Sequence, residues 1–231
     1  MNSSKQQALL VEIETQLRDN YPSLYLVTVG RYPVIRGSFP VRLDRKVIGS
    51  FLIEITLLRH FPKVVPLVRE MGGRIPKIAD RHVYEGDALC LFLPEERAKY
   101  WPEGSSFLDF LTGPVNDFFL SQLYFERHGK WPFGERRHGA LGIIDYYAEE
   151  LGTNNLQVIA KCLEYLSAPQ PKGHWICFCG SGKKMRHCHF GKISELHQKI
   201  QPAIAANSLT YVRQLIERQA TLPSHLMHSK I

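Results

Sequence analysis

Residues 47–70 read VIGSFLIEITLLRHFPKVVPLVRE. Its first half is dense in Val, Ile, Leu and Phe, the residues that suit a pleated, half-buried surface, so a long strand is expected over 47–58. Pro62 and Pro66 then bracket a short segment before a fourth strand over 65–70. Proline cannot donate to a central ladder, which puts both at a strand end or on an edge. Upstream, LYLVTVGR (24–31) and FPVRL (39–43) supply two further strands with turn residues between them. Leu9, Leu10, Ile13 and Leu17 recur at helical spacing, with Ser3 or Ser4 placed to cap a helix that ends before Tyr21-Pro22. Downstream lie an irregular passage over 71–92 and a helix from Ser105 or Ser106 to about Arg127, interrupted at Gly113-Pro114. Two more helices follow, over about 141–151 and 155–166. Helix, antiparallel meander, irregular loop and helices make an α+β domain.

The 231 residues are 44% hydrophobic and 22% charged, as in a globular protein. The run 47–58 is the most apolar in the chain, yet Glu54 interrupts it, and no segment reaches the roughly 18 apolar residues of a membrane span. The start MNSSKQQALLVEIETQL has no basic stretch leading into an apolar block, so a cytoplasmic location is expected. The net charge of +7 lies wholly in residues 168–231; the first 167 residues balance. That break coincides with SAPQPKGH (167–174), a Pro/Gly linker. The expected organisation is a domain over 1–167, a linker over 168–174 and a basic tail over 175–231. Neither repeats nor low-complexity tracts are visible.

Five cysteines is an odd number, and three of them fall within 177–188, a pattern that suits metal binding better than a disulfide framework. In CFCGSGKKMRHCHF (177–190), Cys177 and Cys179 form one knuckle, and Cys188-His189 follow after eight residues. Three thiolates and one imidazole complete a closed tetrahedral zinc site, structural rather than catalytic. His187 and His174 compete with His189 for the fourth position. The GSGKK string lacks the glycine spacing and the Ser/Thr of a P-loop. The tail's charge suits a protein partner, a solvated face or nucleic acid. No aromatic series accompanies it to stack bases. Cys162 lies at apolar helical spacing with Ile159 and Leu166 and reads as core. Cys90, in GDALCLFLPEERAKYW (86–101), is either a small core residue or a nucleophile.

The order of elements resembles that of ubiquitin-conjugating enzymes over about residues 3–128. Phe61-Pro62 with Pro66 stands where that family has its Tyr-Pro and later Pro. Gly86-Asp87 and Leu89-Cys90-Leu91 stand at its Gly turn and Ile-Cys-Leu site, and Trp101-Pro102 with SSFLDFL (105–111) stands at its Trp-x-Pro and following helix. The family's His-Pro-Asn triplet is missing; the position of its asparagine, eight residues before the cysteine, holds His82. The segment 129–147 has no counterpart in eukaryotic members and looks like the divergent bacterial branch found in anti-phage operons such as CBASS. The tail string is similar to the SEC-C motif at the C-terminus of the SecA translocase.

The resemblance implies a thioester enzyme. Its Cys90 would take an acyl group from the C-terminal glycine of a protein partner, either a nucleotidyltransferase that makes cyclic oligonucleotides or a ubiquitin-like protein, and pass it to an amine. His82 would then donate to the oxyanion, or brace the loop through backbone bonds. Trp101 reads as packing, and Glu135 and His138 as a solvated loop rather than an acid/base pair. The competing class is a non-catalytic module on the same fold, in which Cys90 is incidental and the zinc tail recruits a protein or nucleic acid.

Overall fold

The computed structural model describes residues 3–84, 86–132, 137 and 139–221. The chain divides into two compact units: the described residues of 1–92 and 99–135 form the first, those of 93–98 and 136–231 the second. No helix of the described residues is long and apolar enough to cross a membrane.

The first unit is α+β. Helix α1 (Ser3–Asn20) leads into strands β1 (Leu24–Val29), β2 (Tyr32–Leu43), β3 (Lys46–Thr56) and β4 (Leu67–Glu70), which form one antiparallel sheet in sequence order. The β2–β3 hairpin turns on Asp44 and Arg45, both at positive φ (48° and 67°), the geometry whose twist matches its flanking strands. Along β3 the buried Phe51, Ile53 and Ile55 alternate with Leu52, Glu54 and Thr56 on the other face. Glu54 thus lies in the most apolar run without being buried in the core. It sits directly across from Arg36 on β2 and Arg69 on β4 and pairs with both, at 2.6 and 3.6 Å. Pro66 immediately precedes β4, which delays that strand to residue 67, and β4 is an edge strand, as the proline argument requires. β2 begins seven residues before the expected FPVRL strand, because Pro33 to Ser38 also pair with their neighbours.

After a short helix α2 (Arg97–Tyr100), Ser106 caps the next helix through a reciprocal capping box with Asp109. Gly113-Pro114 does not break this helix. Helix α3 (Phe107–Phe110), a π-helical turn (Leu111–Val115) and α4 (Asn116–His128) follow without a gap. The wider turn accommodates a ring that has no N–H to give to the ladder. Ile13 and Leu17 of α1, Phe39, Val41, Phe51 and Ile53 of the sheet, and Phe110, Leu111 and Phe119 of the helices build the core. Trp101 joins it. The ring is 1% exposed, stacks on Phe61 and donates from Nε1 to the Ser106 carbonyl at 3.0 Å.

The second unit is helical: α5 (Gly139–Leu151), α6 (Leu156–Leu166), α7 (Phe190–Lys199) and α8 (Pro202–Thr221). Asn155 caps α6 by accepting from the N–H groups of Gln157 and Val158. This division differs from the boundary expected at 167. Ile144 and Tyr147 of α5 and Ile159, Leu163 and Leu166 of α6 share one core with Phe178, Met185, Ile193, Leu196 and Val212. The composition break marks a change in charge, not in packing. The expected linker is itself held: Pro171 is buried, the Ala168 carbonyl lies 3.1 Å from His197 Nε2, and the Gly173 carbonyl accepts from the Arg186 N–H.

Gly37 tests the sheet geometry. It lies at φ 139°, and a Cβ there would fall 2.0 Å from the Ser23 carbonyl oxygen. Gly37→Ala should therefore lower stability by more than about 2 kcal/mol. Gly113→Ala, with no neighbour within 4 Å, should be neutral or stabilising by up to about 1 kcal/mol. Denaturant unfolding of the two variants gives the comparison, and equal losses would contradict the close approach at Gly37.

Candidate functional site

The passage that carries Cys90 is ordered by a small antiparallel ribbon rather than by regular strands. Val83 and Leu89 form a bridge, the Cys90 N–H donates to the His82 carbonyl at 2.8 Å, and the Tyr84 N–H donates to the Ala88 carbonyl at 2.8 Å. The Leu89 N–H donates to the Val68 carbonyl at 2.8 Å, which ties the ribbon to β4. Alternation about the bridge places the side chains: Val83 and Leu89 turn into the core, while Tyr84, Ala88 and Cys90 share the opposite face. Cys90 is accordingly half-buried and lies outside the core. The turn that closes the ribbon places Gly86 and Asp87 at φ 86° and 66°. Lys77 pairs with the Asp87 carboxylate, and Arg69 Nε approaches the Gly86 carbonyl at 3.4 Å.

His82 ends a short 3₁₀ turn in the left-handed region, at φ 55° and ψ 40°. Its backbone accepts from Cys90, and its ring meets Trp131 edge-on at 4.8 Å between centroids. The contact that sequence reasoning missed is at Tyr84. Its hydroxyl donates to Cys90 Sγ at 2.8 Å, from a residue that is 47% exposed. Tyr84 and Cys90 are diagonal neighbours on one face of the ribbon. The alternation of HVY (82–84) with ALC (88–90) around a Gly-Asp turn was the available signal.

In the second unit the structure brings together Cys177, Cys179, Cys188 and His189. Their four ligand atoms lie within 4.8 Å of one another, and this group could hold a metal ion. His189 Nδ1 is 3.3 Å from Cys177 Sγ and 3.1 Å from Cys188 Sγ, and Cys179 Sγ is 3.6 Å from Cys188 Sγ. Around one ion, tetrahedral sulfurs at about 2.3 Å stand roughly 3.8 Å apart, and sulfur and nitrogen roughly 3.5 Å apart. The donor set therefore fits a single ion. Gly180 and Gly182, at φ 78° and 73°, make the turn that returns the chain from the first knuckle. Burial pushes the Cys177 thiol up to about 11, while the Ser181 hydroxyl beside Cys179 holds that thiol down at about 6. The neighbouring Arg186 Nε lies 3.1 Å from His187 Nε2, so His187 engages a cation rather than this cluster.

Cys162 is fully buried, and burial pushes its thiol up to about 12. Glu135 and His138 lie outside the described residues. Comparison of the chain with protein-family models, with curated proteins and with solved structures returns no match.

Because α5 and α6 share the core of the metal-site residues, metal removal should unfold more than the tail. Chelation or Cys179→Ser should expose sites throughout 139–221 to protease, while the first unit, with its own core, keeps its melting transition. Elemental analysis beside limited proteolysis measures both, with one metal ion per chain expected. A metal-free protein whose helices α5–α8 resist protease would refute a structural role for the site.

Proposed function

We propose that this chain is a cysteine-dependent acyl transferase of the ubiquitin-conjugating kind, with Cys90 as the residue that carries the acyl group. The observation that supports this most is the placement of Cys90 on the outer face of a ribbon pinned to the last strand, after a helix and a four-stranded meander. A core cysteine would occupy the Leu89 position instead. The partner is a protein with a C-terminal glycine, either a nucleotidyltransferase or a ubiquitin-like protein, in a bacterial anti-phage system in the cytoplasm.

The chemistry is a pair of acyl exchanges. In loading, Cys90 Sγ attacks a carbonyl already activated as a thioester or an acyl adenylate; the Sγ–C bond forms and the bond to the leaving thiolate or phosphate breaks. In discharge, an amine attacks the same carbon, loses its proton as the amide forms, and Sγ departs. Neither half changes an oxidation state. The ion at Cys177, Cys179, Cys188 and His189 is zinc on this reading, since three thiolates with an imidazole suit it. Four protein ligands leave no open position, so its contribution is to the folding of the helical unit.

His82 serves as a brace here, through the carbonyl that fixes Cys90 and the ring that packs on Trp131. His82→Ala should lower the melting temperature while transfer per folded molecule stays within about threefold. Loss of an oxyanion donor would instead slow transfer by about 10²–10³-fold at unchanged stability, which would restore the donor role.

The central test is an adduct trapped from cells that carry the native operon. Wild-type protein should yield a covalent complex cleaved by thiols and by hydroxylamine. Cys90→Ala should yield none, and Cys90→Ser should yield an ester that resists thiols. An adduct that persists in Cys90→Ala would remove the basis for the assignment.

A further inference from the structure

We infer that the Tyr84 hydroxyl is the group that sets the reactivity of the Cys90 sulfur, an inference that rests on the acyl-transfer reading for its role in catalysis. The hydroxyl donates to Sγ at 2.8 Å, and both side chains stand on the same face of the ribbon. The contact is held by backbone on both sides. Tyr84 is fixed through Ala88, and Cys90 through His82; the turn between them is tied by Lys77 and Arg69. Strand pairing thus sets both residues at the diagonal spacing from which the phenol reaches the sulfur.

A donor aimed at sulfur acts on both halves of the exchange. Hydrogen bonding to the charged form favours that form, so the hydroxyl raises the thiolate fraction available for loading. In discharge the same bond stabilises the sulfur as it departs, and a better leaving thiolate leaves faster. Tyr84 keeps its proton throughout. The thiol proton is lost to solvent as the thiolate forms, the leaving thiolate or phosphate departs as an anion in loading, and the amine proton goes to solvent in discharge. The Cys90–His82 backbone pair, by contrast, positions the nucleophile without touching its charge.

The test uses the full chain and needs no acyl partner. Chloroacetamide alkylation of Cys90 is followed by mass spectrometry from pH 6 to pH 11 in wild type, Tyr84→Phe and His82→Ala. Melting temperatures are taken in parallel. Tyr84→Phe keeps the ring and should melt as wild type does, yet the pH of half-maximal rate should rise by about one unit. His82→Ala should leave that midpoint within a few tenths of a unit. Where an acyl adduct can be loaded, Tyr84→Phe should also slow its discharge to an amine about tenfold. An unchanged midpoint in Tyr84→Phe, or an equal shift in His82→Ala, would overturn the assignment. A shifted midpoint with no acyl adduct on Cys90 in cells would instead sink the acyl-transfer reading and leave the hydroxyl–sulfur linkage standing.

Discussion

Residues 71–82 contain too little regular structure to hold themselves, and two buried polar groups hold them. Glu70, at the end of β4, is 8% exposed and turns its carboxylate onto the N–H groups of Gly72, Arg74 and Ile75. Gln122 of α4 is fully buried; its Oε1 accepts from the Arg81 guanidinium at 2.6 and 2.9 Å, and its Nε2 donates to the Arg81 carbonyl. That guanidinium also lies over the Phe125 ring, 4.6 Å from its centroid. A hydrogen bond to a charged group contributes about 1.5–3 kcal/mol net, and removal of one partner strands the other in a dry environment. The position of His82, and through its carbonyl that of Cys90, thus depends on a polar network anchored in a helix forty residues later.

The helical unit solves a different problem. Its apolar core is continuous across α5 to α8, yet it contains Glu95, 1% exposed, whose Oε1 accepts from the Ser208 hydroxyl. Among the described residues, Glu95 Oε2 and the Tyr147 hydroxyl have no hydrogen-bond partner. Burial pushes the Glu95 carboxyl up and the Tyr147 phenol up, so both favour their neutral forms. A carboxyl raised on folding takes up a proton, and its stabilising contribution is present at low pH and lost as pH rises through its folded value. Neutral pH thus weighs against this core, and a metal ion held by Cys177, Cys179, Cys188 and His189 would offset part of that cost.

How much of this was legible follows from which signals are local. Strand alternation, the Ser106 cap and the apolar spacing of Cys162 are local, and the four-stranded order, the helix start and the buried thiol stand where they were expected, although β2 runs longer and β4 shorter than the pattern implied. The cysteine–histidine cluster was legible for the same reason, since its ligands lie within 13 residues. The π-helical turn was not, because proline reads as a breaker unless the packing of Phe110, Leu111 and Val115 into one core holds the helix through it. Nor was the unit boundary. Charge changes sharply at 168, but the faces of α5 and α6 are apolar on the side that meets the tail, and only tertiary structure shows what an apolar face packs against.

The five cysteines show that residue type carries little chemistry until its surroundings are fixed. Cys162, buried among Ile159, Leu163 and Leu166, is pushed up to about 12 and behaves as a small apolar side chain at neutral pH. Cys177, Cys179 and Cys188 lie too close together to ionise independently, and shared ligation of one cation would resolve their mutual repulsion. Cys90 has neither a full apolar shell nor a second thiol beside it within its ribbon; it has a phenol that donates to sulfur. Of the three environments, this one leaves a partly exposed thiol that is neither sealed in a core nor crowded by other metal-ligating groups within its ribbon. An acyl carrier of the kind proposed above needs a thiol that can be approached, ionised and released again, whereas the thiols of the cluster stand close enough to one another to share a single ion.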